Sequence, residues 1–318
     1  MLSGLLSKTS GLTVPSPDIN HSPSTKPSFF FEQKNGLLLA VDEYGQREGF
    51  PLFFFHDRGS SRLEASFFHR SSLKFGYRLI AIDRPGIGQS EFYDYKSADE
   101  FCENLLLLAD ELGIRQFGLM SMAAGGVFAL RLAHMAQTRT MLHINIAGVP
   151  GNVFKEASKD SYAANCFRGL TPSVIKMLVG IKHRFFADSP ASHVEKLKDL
   201  LSYTDKRLLT NPQFVNTLTA DHREAVCHGY QGLAQDMTTC FKKLPFKLSE
   251  LKTRTFIWQG SADQLSMRSD CEYLSSRLPN ANYYRVPNGG HFFFVHGIDD
   301  VFNRLKEPAF CWSGKIAA

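Results

Sequence analysis

The chain has 318 residues, 43% of them apolar and 21% charged, with a net charge of +5. That length suits one large α/β domain with an insertion, or two modest domains, and the mild, scattered positive charge includes no Lys/Arg cluster with interleaved aromatics of the kind that binds nucleic acid. No segment reaches the roughly 18 to 20 apolar residues of a membrane-spanning helix, and six cysteines without CxxC spacing (Cys102, Cys166, Cys227, Cys240, Cys271, Cys311) suit a reduced, cytoplasmic protein.

Residues 1–27 are rich in Ser, Pro and Thr and lack a basic segment followed by an apolar core, so a flexible tail is expected rather than a secretory signal. Two short strands are predicted at 28–32 and 37–41, joined by the turn signal Asn35-Gly36. An apolar strand at 51–56 stops at Asp57-Arg58-Gly59, and 61–75 has helical spacing. A strand at 77–82 ends in Asp83-Arg84-Pro85-Gly86-Ile87-Gly88. Ser97 and Glu100 form a capping box for an amphipathic helix reaching Leu112. A strand at 117–122, a helix at 124–136 and a strand at 141–146 follow, the last closing at Gly148-Val149-Pro150-Gly151.

Near-continuous apolar strands alternating with helices predict a parallel sheet covered on both faces. The rhythm breaks over 152–245, where helices (174–179, 194–203 and 223–237) occur without a convincing strand. It resumes with strands at 255–258 and 283–286, a helix between them and another near the C-terminus. The division expected is a tail (1–27), a first part of the core (28–151), a helical lid (152–245) and a second part of the core (246–318). The Phe runs 29–31, 53–55 and 292–294 read as core strands or pocket lining.

Three segments carry a resemblance. Asp83-Arg84-Pro85-Gly86-Ile87-Gly88-Gln89-Ser90 reads as DRPGxGxS, and His56-Asp57-Arg58-Gly59-Ser60-Ser61-Arg62 partly preserves an HGxPGSR-like run. Arg223-Glu224-Ala225 is followed by Gly229, Gly232 and Asp236. In this order, across residues 29–306, they resemble the α/β-hydrolase superfamily, in particular a bacterial group with the first two motifs. The resemblance implies an α/β-hydrolase fold: a mostly parallel twisted sheet, helices on both faces and a helical lid. It also implies Ser-His-Asp hydrolysis of a small, largely apolar ester, thioester or lactone beneath that lid, without a cofactor.

The family's nucleophile elbow, G-x-S-x-G-G, corresponds to Ser121-Met122-Ala123-Ala124-Gly125-Gly126, which places Ala123 at the nucleophile. Ser121 lies two residues earlier on the strand and lacks the exposed geometry of the elbow. By the same resemblance, Asp263 in Gly260-Ser261-Ala262-Asp263 orients His291 in Gly289-Gly290-His291, and His291 is the base. Without the resemblance, Asp263 reads as a helix N-cap and His291 as a turn histidine. The implied oxyanion donors are the backbone N–H groups of Arg58 and Ala124. Asp57 replaces the motif's Gly and Gly59 its Pro, and a carboxylate turned inward there would oppose a developing oxyanion.

Alanine has no oxygen with which to attack a carbonyl, and loss of the serine from such a site costs roughly a million-fold in turnover. Three readings follow. The chain is a native pseudohydrolase that binds a small molecule, a serine hydrolase whose serine was replaced to trap substrate, or a lyase or oxygenase working through the His291–Asp263 dyad. Gly86-x-Gly88 lacks the third glycine of a dinucleotide fingerprint. His222, Cys227 and His228 match no common zinc spacing, so no metal is expected.

Overall fold

Phe50–Phe55 (β3) and Phe117–Met122 (β5) are buried at every position, as expected of strands with neighbours on both sides and helices on both faces. In the computed structural model, which describes residues 24–148, 171–185, 194–195, 197–240 and 242–305, they form the middle of an eight-stranded sheet. The others are β1 (Phe29–Glu32), β2 (Leu38–Gly45), β4 (Tyr77–Ile82), β6 (Thr140–Ile146), β7 (Arg254–Gly260) and β8 (Ala281–Val286). The order is β1-β2-β4-β3-β5-β6-β7-β8. β1, β2 and β4 pair antiparallel, and every later pair is parallel. The expected α/β-hydrolase fold with its mostly parallel sheet is present.

The helix predicted over 61–75 divides into a 3-10 segment, Arg62–Phe68, and α1 (His69–Phe75), which Gly76 ends in the left-handed conformation. Then come α2 (Ala98–Glu111), capped by Ser97, and α3 (Gly126–Met135). These two bury Phe101, Leu105, Val127 and Phe128 against one face of the sheet. The opposite face packs Phe68, Phe292, Phe294 and Phe302.

Between β6 and β7 lie α4 (Pro172–Phe185), α5 (Tyr203–Leu208), α6 (Pro212–Ala225) and α7 (Gln231–Cys240). The helix predicted across 194–203 breaks where Ser202 Oγ accepts the Asp205 N–H and starts α5. That predicted over 223–237 breaks at Gly229, whose φ of 100° belongs to the left-handed region that favours glycine. α6 starts at Asn211-Pro212, a capping signal with Pro at the first turn. The chain finishes its described part with α8 (Arg268–Arg277) and α9 (Phe294–Arg304). Residues 1–23 of the expected tail, 149–170 and 186–193 of the expected lid and its approach, 306–318, Cys166 and Cys311 lie outside the described residues. Among the described residues no helix is long and apolar enough to cross a membrane.

Two buried arginines pin the insertion to the sheet. Arg62 donates to Asp83 at 2.6 Å and to Glu224 of α6 at 2.7 Å. Arg84 pairs with Asp236 of α7 at 2.6 Å. Gly232 fits because a Cβ there would stand 2.3 Å from the backbone of Gly86. The motif residues Arg84, Gly86, Glu224, Gly232 and Asp236 therefore join the core to the insertion.

Candidate functional site

Where β5 ends, the chain turns sharply. Ala123 takes φ 39°, a left-handed conformation that is uncommon for a residue with a Cβ. Gly125 brings the turn against β3, since a Cβ there would lie 2.3 Å from the carbonyl oxygen of Phe55. α3 then leaves from Gly126. The strained residue thus stands at a tight strand-to-helix elbow.

β3 delivers Asp57 to the same place. Its N–H donates to Glu64 Oε2 at 2.8 Å, and its carbonyl accepts from Arg84 Nη2 at 3.1 Å and His56 Nδ1 at 2.8 Å. With the backbone held in this way, Asp57 Oδ1 accepts the N–H of Ala124 at 3.0 Å. A carboxylate therefore already engages the backbone donor at the elbow.

The loops after β7 and β8 supply the other pair. Asp263 Oδ1 accepts the N–H groups of Leu265 (2.8 Å) and Ser266 (3.1 Å), which fixes the carboxylate. His291 Nδ1 lies 3.1 Å from Asp263 Oδ2 and 3.2 Å from Oδ1. The His291 N–H donates to Asp205 Oδ2 at 2.8 Å, and the Phe292 N–H to Asp205 Oδ1 at 2.9 Å. Gly290 makes room for that carboxylate, because a Cβ there would lie 2.1 Å from it. Burial opposes a charge on His291, but Asp263 foremost, then Asp57 and Asp205, outweigh it and raise its pKa to about 9. That shift favours the imidazolium form at neutral pH.

Arg58, Ala123, Ala124 and His291 all line one cavity of about 310 Å3, and Asp263 lies behind His291 with its side chain buried. The cavity sits between the carboxyl ends of the strands and the insertion, the usual place for ligands in such sheets. Leu197, Leu218, Leu265 and Phe292 form an apolar wall. Glu64 and Asp221 also line it. Burial, with the Asp221 and Asp57 charges, holds the Glu64 carboxyl well above the usual carboxylate range. Burial pushes Asp221 up to about 7, although it accepts from both the N–H and the Oγ of Ser61.

Ser121 Oγ is not in this group. It meets His143 Nε2 at 2.8 Å inside the sheet, where both residues are fully buried. Burial holds His143 neutral, with a pKa lowered to about 3. His222 Nδ1 and His228 Nδ1 meet the carbonyls of Gly59 (2.9 Å) and Gly88 (2.7 Å), and Cys227 lies beside His228. Sequence reasoning missed Asp205, Glu64 and Asp221. Ser202-x-x-Asp205 matches a capping pattern and could have flagged Asp205; the other two carry no local signal.

A family model for the α/β hydrolase fold matches residues 59–297. The chain belongs to the α/β-hydrolase family. Over 115 residues it is 36% identical to a pimeloyl-[acyl-carrier protein] methyl ester esterase of Legionella pneumophila (strain Corby), a stretch covering 36% of this chain and 44% of that protein. The match thus spans less than half the length of that relative. It is 22% identical over 222 residues to 3-oxoadipate enol-lactonase 1 of Acinetobacter baylyi, covering 70% of this chain and 74% of that one. A solved hydrolase from Pseudomonas aeruginosa PA01 superposes with a TM-score of 0.67 at 17% identity, covering 87% of this chain and 96% of that chain. At that identity the likeness concerns the fold. This α/β-hydrolase chain therefore has esterase-like and lactonase-like relatives.

Proposed function

We propose that this α/β-hydrolase-family protein binds a small, largely apolar molecule between sheet and insertion and does not cleave it by a serine mechanism. In this reading Ala123 holds the nucleophile position, His291 and Asp263 are the retained partners, and α4–α7 act as a lid. The chain descends from the bacterial group with HGxPGSR-like and DRPGxGxS segments.

One observation carries the reading: the Ala124 N–H is bonded to Asp57 Oδ1 at 3.0 Å. Serine hydrolysis needs an attacking oxygen and backbone donors left open for the charge that develops in the transition state. Ala123 lacks the first, and Asp57 engages one of the second. Two changes that make sense together favour a native binding protein over a hydrolase altered at its serine alone. Asp263, then Asp57, raise the His291 pKa to about 9, which favours the donor form of the ring at neutral pH.

The test is p-nitrophenyl ester turnover by the unmodified chain beside His291→Ala. The expected result is the same buffer-level rate for both. Turnover by the unmodified chain that His291→Ala abolishes would overturn the proposal.

A further inference from the structure

Asp57 uses one carboxylate oxygen on the Ala124 N–H. The other, Oδ2, takes no hydrogen bond from any described residue, and Asp57 lines the cavity. His291 uses Nδ1 on Asp263, which leaves Nε2 as the ring nitrogen open to a ligand, and it lines the same cavity. At the polar end of the cavity Asp57 thus adds an acceptor, and His291 a donor, where an ester-cleaving site would have an open Ala124 N–H and a nucleophile.

Asp57 and Arg58 both line that end, and Asp263 pairs with the ring of His291. Burial holds the Glu64 carboxyl well above the usual carboxylate range and pushes Asp221 up to about 7. A neutral head group suits a wall that carries the Asp57 carboxylate, which would repel a ligand carboxylate. An acyl oxygen would find the Ala124 N–H already engaged.

Resting on the binding role proposed above, we infer that the cavity selects a neutral alcohol with an apolar chain and rejects the matching carboxylate. The ligand hydroxyl donates to Asp57 Oδ2 and accepts from His291 Nε2, and its chain lies along Leu197, Leu218, Leu265 and Phe292. Asp57 thereby inverts the polarity of a site that elsewhere in such folds receives an acyl group.

Dissociation constants for 1-octanol and sodium octanoate, measured by titration calorimetry on the full chain at neutral pH, test this. Octanol is expected to bind at least about tenfold more tightly than octanoate. Asp57→Asn retains an oxygen for the Ala124 N–H but loses the charge, and should remove most of that preference. Asp57→Gly frees the N–H beside the imidazolium and should make octanoate the tighter ligand. Octanoate binding the unmodified chain as well as octanol does, the same preference in both variants, or no binding of either would overturn the inference. Ester turnover separates the two claims: octanoate preference without turnover refutes only the head-group assignment, whereas turnover refutes the reading beneath it.

Discussion

The carboxylate of Asp205, on the insertion helix α5, accepts the backbone N–H of His291 at 2.8 Å and that of Phe292 at 2.9 Å. Asp205 is itself buried, and its Oδ2 also accepts from Ser202 Oγ at 2.7 Å. Removing a buried hydrogen-bonding partner leaves its donors unsatisfied, at about 1 to 3 kcal/mol each. Asp205→Ala should therefore lower the unfolding free energy by about 2 to 4 kcal/mol. It should also broaden the His291 imidazole signals by NMR, because the loop loses its tether. A loss below about 0.5 kcal/mol in urea unfolding, within the range of ordinary surface substitutions, would show that Asp205 does not hold the loop.

His291 makes stability depend on pH in a definite direction. Its folded pKa of about 9 lies above the ordinary histidine value of about 6.5. A raised pKa means that the folded state binds the proton more tightly. The stabilisation is fully present below the unfolded value and fades as pH rises through the folded one. The difference corresponds to on the order of 3 kcal/mol, lost between about pH 6.5 and 9. The stability of the unmodified chain should fall over that window relative to His291→Gln. Parallel pH profiles for the two proteins would contradict the assignment.

At the elbow the backbone disfavours the residue that occupies it. Ala123 has φ 39°, where a Cβ costs roughly 1 to 2 kcal/mol, whereas glycine enters that region freely at the expense of unfolded-state entropy. Ala123→Gly should be neutral or stabilising by up to about 1 kcal/mol. A destabilisation above about 1 kcal/mol in thermal unfolding would mean that the methyl group packs in a way that outweighs the strain.

Arg62 is fully buried and bridges Asp83 at 2.6 Å and Glu224 at 2.7 Å, joining β4 to the insertion. Breaking a buried pair by removing one partner leaves uncompensated charge and typically costs about 3 to 5 kcal/mol. Arg62→Ala should fall in that range and should make the segment 212–240 more open to limited proteolysis. Unchanged proteolysis with a small stability loss would show that the insertion is held by other contacts.

The fold was legible because its main signals are local. β3, β4 and β5 are short apolar runs ended by turn residues, and such runs identify buried strands without knowledge of their neighbours. Helix breaks were harder. Ser202 and Gly229 interrupt sequences whose apolar spacing continues, and a cap or a left-handed glycine is a weak signal against that periodicity. At the site, Ala123, Asp263 and His291 could be placed by motif and order, and an inward-facing Asp57 could be named as a concern. What no motif carries is that the Asp57 carboxylate meets an N–H 67 residues away. Glu64, Asp205 and Asp221 escaped for the same reason. Their roles come from partners that only the folded chain brings near.

Whether Asp57 closes the backbone donor at the elbow is read most directly by labelling with a fluorophosphonate probe. The comparison is Ala123→Ser against Ala123→Ser/Asp57→Gly, both checked for folding. With serine alone, labelling should be slow, and removing Asp57 should accelerate it by about a hundredfold, the size of effect expected when one oxyanion donor is restored. Equal labelling of the two variants, with the single variant already fast, would contradict it, since the donor would then be available while Asp57 is present.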